Sequence, residues 1–339
     1  MTDNGSAWHI YRGEGQQHTD FDRLPPPPPW REFDGEIIAT GDEPRHPVRD
    51  ARPGTAIRAE TYRPERSVVE KVNAALYLRR PLLVTGQPGT GKSTLASSIA
   101  WELGLGPVLS WSITSRSNLQ DSLYRYDAVG RLQDANLRRL SPDAGPPTTS
   151  AGPFITLGPL GTALVARDKP RVLLVDEFDK GDIDLANDLL NILEEGQFTI
   201  PELVREEGAE PVALTTEDGD TVLVRGGHVR TRAFPIIIIT SNGERVFPRA
   251  FLRRCQEVTI PLPGEEKLKE IVRTQLGADT LAATEQLCVD FTTARDAAGG
   301  LPTDLLLNAA YLYTAGGDGD DGKRMMAGSL IREARSGQS

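Results

Sequence analysis

Cysteine is almost missing: Cys255 and Cys288 are the only two in 339 residues, and their spacing fits neither a redox pair nor a metal-ligand set. A disulfide scaffold is therefore excluded, and a reducing, cytoplasmic setting is expected. Long apolar runs are also missing. The purely aliphatic run Ile236 to Ile239 has the length of a strand, far short of a membrane span, so no membrane partner is expected. Met1 to Ile10 has neither a basic start nor an apolar stretch, so no secretory signal is expected. Positive charge is in deficit. Lys and Arg total 38 against 48 Asp and Glu, a net charge of −10, which disfavours a free-standing DNA or RNA binder while allowing a local basic groove. There are no internal repeats, and the length suits one large domain or two ordinary ones.

What is present centres on Gly86-Gln87-Pro88-Gly89-Thr90-Gly91-Lys92-Ser93, followed by Thr94, which fits G-x-x-x-x-G-K-[ST]. Leu82 to Thr85 before it reads as a buried strand. Thr94 to Leu103 after it places Leu95, Ile99 and Leu103 at helical spacing, with Gly104 as a stop. Strand, turn and helix start in this order favour a phosphate-binding loop over a chance glycine-rich turn. Glycines let backbone N–H groups curl round a phosphate, and the helix N-terminus adds partial positive charge. Lys92 is then placed to reach the β- and γ-phosphates of ATP, and the Ser93 hydroxyl to ligate Mg²⁺.

Downstream, Val172 to Val175 is a strand-type run ending in Asp176-Glu177. Ligands of open α/β sheets sit at the carboxyl ends of strands, which points both acids at the nucleotide. Asp176 suits the metal and Glu177 the base that polarises the attacking water. The strand Ile236 to Thr240 ends in Ser241-Asn242, where an amide can hydrogen-bond the γ-phosphate or the water, or simply serve a strand-to-turn bend. Phe247 to Cys255 reads as helical and carries Arg249, Arg253 and Arg254.

The remaining chain divides by composition. Residues 1–58 are polar, include five prolines from Pro25 to Pro29, and read as a largely disordered leader. It is either a spacer or a docking strip anchored by Trp30 and Phe33. Residues 59–262 form the nucleotide-binding core. Within it, 114–170 is too long for a simple connection and is expected to be an insertion with its own structure. Val212 to Val224 reads as a hairpin around Asp218-Gly219. Pro261-Leu262-Pro263-Gly264 marks a boundary, and 263–336 reads as a small all-α unit whose last helix spans Lys323 to Arg335.

The ordered series Gly86–Ser93, Asp176-Glu177, Asn242 and Arg253-Arg254, followed by a helical unit, resembles the AAA+ ATPases. The insertion, the hairpin, Gly158-Pro159-Leu160, and Asn191 to Pro201 with Glu194-Glu195-Gly196 and Phe198 are similar to the MoxR branch. The leader resembles that of a MoxR-like actinobacterial subgroup. The likeness covers about residues 60–315. It implies an α/β fold with a five-stranded parallel sheet in the order 5-1-4-3-2, an all-α lid, and a homo-oligomeric ring, usually of six. It further implies Mg²⁺-dependent ATP hydrolysis that remodels a client protein, of von Willebrand factor A-domain type among others. Arg254, or the adjacent Arg253, matches the arginine presented to a neighbour's γ-phosphate. Such lids usually offer an arginine at the start of their third helix. Here Thr303 stands in its place, and Lys323 and Arg324 are the other basic residues that follow. That departure leaves a second reading, a slow nucleotide-dependent switch that binds a partner.

Overall fold

A computed structural model describes residues 7–38, 58–140, 150–206, 210–298, 301–315 and 329. The element at its centre is a parallel sheet of β1 (Leu82–Thr85), β2 (Leu109–Ser112), β5 (Val172–Asp176), β10 (Ile236–Ser241) and β11 (Gln256–Thr259). Its order is β11-β1-β10-β5-β2, the one expected for a 5-1-4-3-2 core. The central strands are buried and aliphatic because helices cover both faces, as all-parallel sheets require. Leu82, Val84 and Ile238 face one apolar cluster with helix α1 (Arg66–Leu78) and helix α2 (Lys92–Glu102). Leu83, Leu173 and Ile239 face a second with α6 (Ile183–Glu195). Helix α6 shows how local chemistry sets the ends: Asp182 caps it by accepting from the Asp184 N–H, and Gly196 closes it in the left-handed region.

The described residues of the segment 114–170 form several short elements. These are α3 (Leu119–Leu123), β3 (Tyr124–Tyr126), α4 (Ala128–Leu140), β4 (Ile155–Leu157) and α5 (Pro159–Leu164). Strands β3 and β4 pair antiparallel, and β4 runs alongside β7 (Val212–Thr215) of the hairpin completed by β8 (Thr221–Val224). Insertion and hairpin thus share one four-stranded sheet, β3-β4-β7-β8, which nothing in the local pattern of either segment announces. A two-stranded pair, β6 (Gln197–Thr199) with β9 (His228–Arg230), extends α6 outward; α7 (Pro201–Val204) follows it. The expected helix from Phe247 to Cys255 is one turn, α8 (Arg249–Leu252), because Pro248 sits directly before it and Arg253-Arg254 turn the chain back into β11. Beyond Pro263, α9 (Glu265–Leu276), α10 (Ala278–Ala298, kinked at Thr284) and α11 (Thr303–Thr314) enclose a separate cluster around Leu268, Val272, Phe291 and Leu306. Of the helix expected at Lys323 to Arg335, Ser329 is described and is helical; Lys323 and Arg324 lie outside the described residues. Among the described residues no helix is long and apolar enough to cross a membrane.

Residues 7–38, the described part of the leader, depart from the expected disorder. Residues 7–38 lie on the folded body through specific contacts, and the low hydrophobicity that suggested disorder is offset by hydrogen bonds. Asn73, fully buried on α1, uses all its capacity: Oδ1 accepts the Ile10 and Tyr11 N–H groups, and Nδ2 donates to the Tyr11 and Val69 carbonyls. Glu102, fully buried at the end of α2, accepts the backbone N–H groups of Arg12, Gly13, Glu14 and Gly15. Ile10 and Tyr11 are fully buried too, each contributing about 2 kcal/mol of apolar burial. Farther on, the proline run crosses the amino-terminal end of the sheet. There Arg31 donates to the Leu193 carbonyl at 2.7 Å, and Phe33 stacks on Phe234 with ring centroids 5.3 Å apart. Phe33 therefore anchors within the chain, whereas Trp30 stays exposed.

Replacing Glu102 with Ala should leave four backbone amides without their acceptor and cost about 2–4 kcal/mol. Fast amide hydrogen exchange at residues 12–15 is the expected readout. Unchanged protection there would show that the carboxylate does not hold the leader.

Candidate nucleotide site

Parallel pairing alone brings the expected residues to one edge. Thr85 lies beside Ser241, so the loop leaving β1 and the turn leaving β10 start side by side; Val175 lies beside Ile239, which sets Asp176 next to Thr240. Between β1 and α2 the loop turns on Gly89 (φ 78°) and Gly91 (φ 89°), conformations that L side chains rarely adopt. Space is tight for a side chain as well. A Cβ on Gly89 would meet the Thr303 backbone nitrogen at 2.6 Å, and one on Gly91 the Tyr62 ring at 3.0 Å.

Lys92, buried at the first position of α2, donates from Nζ to the Gly86 and Gln87 carbonyls at 2.7 and 2.8 Å and to Asn242 Oδ1 at 2.8 Å. Burial lowers its pKa, against the opposing pull of Asp176, Asp179 and Glu177. Ser93 Oγ donates to Asp176 Oδ1 at 2.8 Å, and Thr240 Oγ1 donates to the same oxygen at 2.6 Å. Thr240 Oγ1 also accepts the Glu177 N–H at 2.9 Å. Glu177 itself has left-handed backbone (φ 58°, ψ 46°), which for a non-glycine residue costs on the order of 1–3 kcal/mol and is held in place by that bond. Its Oε2 accepts from Lys180 Nζ at 2.7 Å, near the surface.

These groups line one cavity of about 850 Å³. Pro88 to Thr94, Asp176, Glu177, Thr240 and Asn242 form the core side, and α9 with the start of α11 the other. Tyr62, Val68, Ile260 and Ile271 supply an apolar end. Gln275 of α9 donates to Thr61 Oγ1 at 2.9 Å across it. Thr303, at the position where an arginine was expected, is buried against Gly89; Lys267 of α9 lines the cavity and pairs with Glu270 at 2.7 Å.

The structure thus gathers Gly86–Thr94, Asp176, Glu177 and Asn242, but not the arginine pair. Arg254 is ion-paired with Glu194 of α6 and donates to the Ala250 carbonyl at 3.2 Å; Arg253 is exposed, and neither lines the cavity. Two participants escaped the sequence reading. Thr240 sits one position beyond the aliphatic run that defines β10, and Asp179 is the second acid of Asp-Glu-Phe-Asp; each was signalled only by its closeness to a residue already singled out.

Residues 81–255 match the AAA domain family, dynein-related subfamily, and the chain belongs to that family. No curated protein sequence matches the chain significantly. A solved structure of C. elegans PCH-2 aligns with 84% of this chain at 13% identity and a TM-score of 0.35. The present chain spans 66% of that one, just under two thirds.

Thr240→Val keeps the strand's shape but strips one donor from Asp176 and leaves the Glu177 N–H unsatisfied. A loss of about 1–3 kcal/mol in urea unfolding is expected; a stability equal to the parent's would mean that the hydroxyl does not tie β5 to β10.

Proposed function

We propose that the chain is a Mg²⁺-dependent ATPase of the MoxR type that hydrolyses ATP to remodel a partner protein. One observation carries this reading: the Lys92 ammonium, the Asn242 amide and the Ser93–Asp176 pair converge on one cavity at the carboxyl ends of β1, β5 and β10. Two hard oxygen donors 2.8 Å apart, Ser93 at the start of α2 and Asp176 at the end of β5, fit a small divalent cation. Ser93 and Asp176 would hold Mg²⁺, which when bound neutralises charge on the β- and γ-phosphates.

The chain's own groups do the rest. Residues Gly86 to Thr94 cradle the phosphates through backbone N–H groups, and Lys92 gives up its carbonyl partners for phosphate oxygens. Glu177, released from Lys180, takes the proton of the attacking water while the bond between the β–γ bridging oxygen and the γ-phosphorus breaks. Asn242 orients that water against the γ-phosphate. The pairing of Arg254 with Glu194 at the surface suits a residue that serves a neighbouring copy in a six-membered ring, with Arg253 as the adjacent candidate. Residues 263–336 act as the lid. Lys267, on the cavity wall and paired with Glu270, is one cation placed to serve in place of the arginine that Thr303 replaces. The client is a protein, of von Willebrand factor A-domain type among others. The setting is cytoplasmic, with no membrane or nucleic-acid partner.

A second reading, a slow switch that binds its partner in one nucleotide state, draws on Thr303 packed against Gly89 and on Glu177 engaged by Lys180. The two part on turnover with client: the remodeller speeds up, the switch does not.

Glu177→Gln should bind ATP as tightly as the parent and lose turnover by about a hundredfold or more, while Lys92→Ala should lose nucleotide binding. Isothermal titration and phosphate release check both. Undiminished phosphate release from the Gln variant would remove Glu177 from the mechanism.

A further inference from the structure

Asp179 lies on the helical turn after Glu177 and is 3% exposed. Its Oδ2 accepts two backbone N–H groups from the turn after β10, Asn242 at 2.8 Å and Glu244 at 3.0 Å. Its Oδ1 is buried with no hydrogen-bond partner. Desolvating half a carboxylate is costly, so holding an otherwise ordinary turn is a poor return for the fold.

The turn is not ordinary, because it presents Asn242. Between the two bonded amides stands Gly243, with φ 81° and open space around its Cα, tied otherwise only by its N–H to Ser241 Oγ at 3.0 Å. Without Asp179 that glycine is the natural hinge about which the Asn242 side chain would swing. With Asp179 in place, the Asn242 amide is held 2.8 Å from Lys92 Nζ. Asp179 is also two residues from Glu177. Asp179 therefore ties the element that carries the base to the turn that carries the amide.

We propose that Asp179 is a positioning residue for ATP hydrolysis, acting through the 242–244 turn to hold the Asn242 amide in the cleft. This rests on the reading of Asn242 as the group that orients water at the γ-phosphate. Asp179 touches neither reacting atom and acts only at second hand. Residues that work as one unit are not additive when removed together.

The test is a double-mutant cycle in the full chain, with steady-state ATP hydrolysis and ATP affinity measured for Asp179→Ala, Asn242→Ala and the pair. Asp179→Ala should lower kcat by about 10–100-fold, as loss of one preorganised donor does, with ATP affinity changed less than about threefold. Asp179→Asn, which keeps an acceptor oxygen for the two amides, should restore most of the rate. The pair should be no slower than Asn242→Ala alone. If the two losses multiply, or if Asp179→Ala turns over at the parent rate, the proposal is overturned while Asn242 keeps its role. If Asn242→Ala itself runs at the parent rate, the reading of Asn242 fails and the proposal with it. Should Asp179→Ala not fold, Asp179→Glu, which displaces the acceptor by one methylene, carries the same comparison.

Discussion

A single oxygen, Oδ1 of Asp176, receives the hydroxyls of Ser93 and Thr240, and the site's geometry follows from that convergence. Ser93 belongs to the helix launched by β1, Thr240 to β10, and Asp176 to β5. Three strand ends are drawn to one point, so the loop, the acid pair and the Asn242 turn cannot drift independently. The same hydroxyl of Thr240 that donates to Asp176 accepts the Glu177 N–H, and so supports the left-handed backbone that aims the next carboxylate. Charge-assisted bonds in a partly desolvated cleft are stronger than their counterparts in water, which gives this small network its leverage.

The network is backed by a less expected support. Helix α2, whose first turn carries Lys92 and Ser93, ends in Glu102, and Glu102 grips four amides of the leader. The leader then lies against the segment that lines the apolar end of the cavity: a Cβ on Gly15 would strike the Glu60 carbonyl, and one on Gly13 the Pro64 ring. A strap on the back of the nucleotide helix is thus coupled by packing to the wall of the nucleotide cleft. Its polar composition is compatible with order because the folded body provides the acceptors and donors that a free chain would take from water.

How much of this was legible differs by kind of signal. Strand, loop and helix around Lys92 are encoded within a dozen residues, and the Asp176-Glu177 and Asn242 positions follow from aliphatic runs that end in polar residues. The sheet order, by contrast, is implied by the family resemblance and not by these local patterns. Three things were not legible. The leader's order depends on Asn73 and Glu102, polar residues inside helices that give no hint of serving a distant segment. The sheet joining the insertion to the hairpin depends on pairing Thr156 with Thr215, a contact far apart in sequence. Asp179 reads as surface charge until its burial is known. All three are long-range satisfactions of backbone hydrogen bonds, which leave no periodic trace.

Ser93 and Asp176 would hold the divalent cation that the proposed reaction needs. Titration of ATP with and without Mg²⁺, on the parent chain and on Asp176→Ala, tests this most directly. Mg²⁺ is expected to tighten ATP binding in the parent and to lose that effect in the variant. An equal gain from Mg²⁺ in both would contradict it.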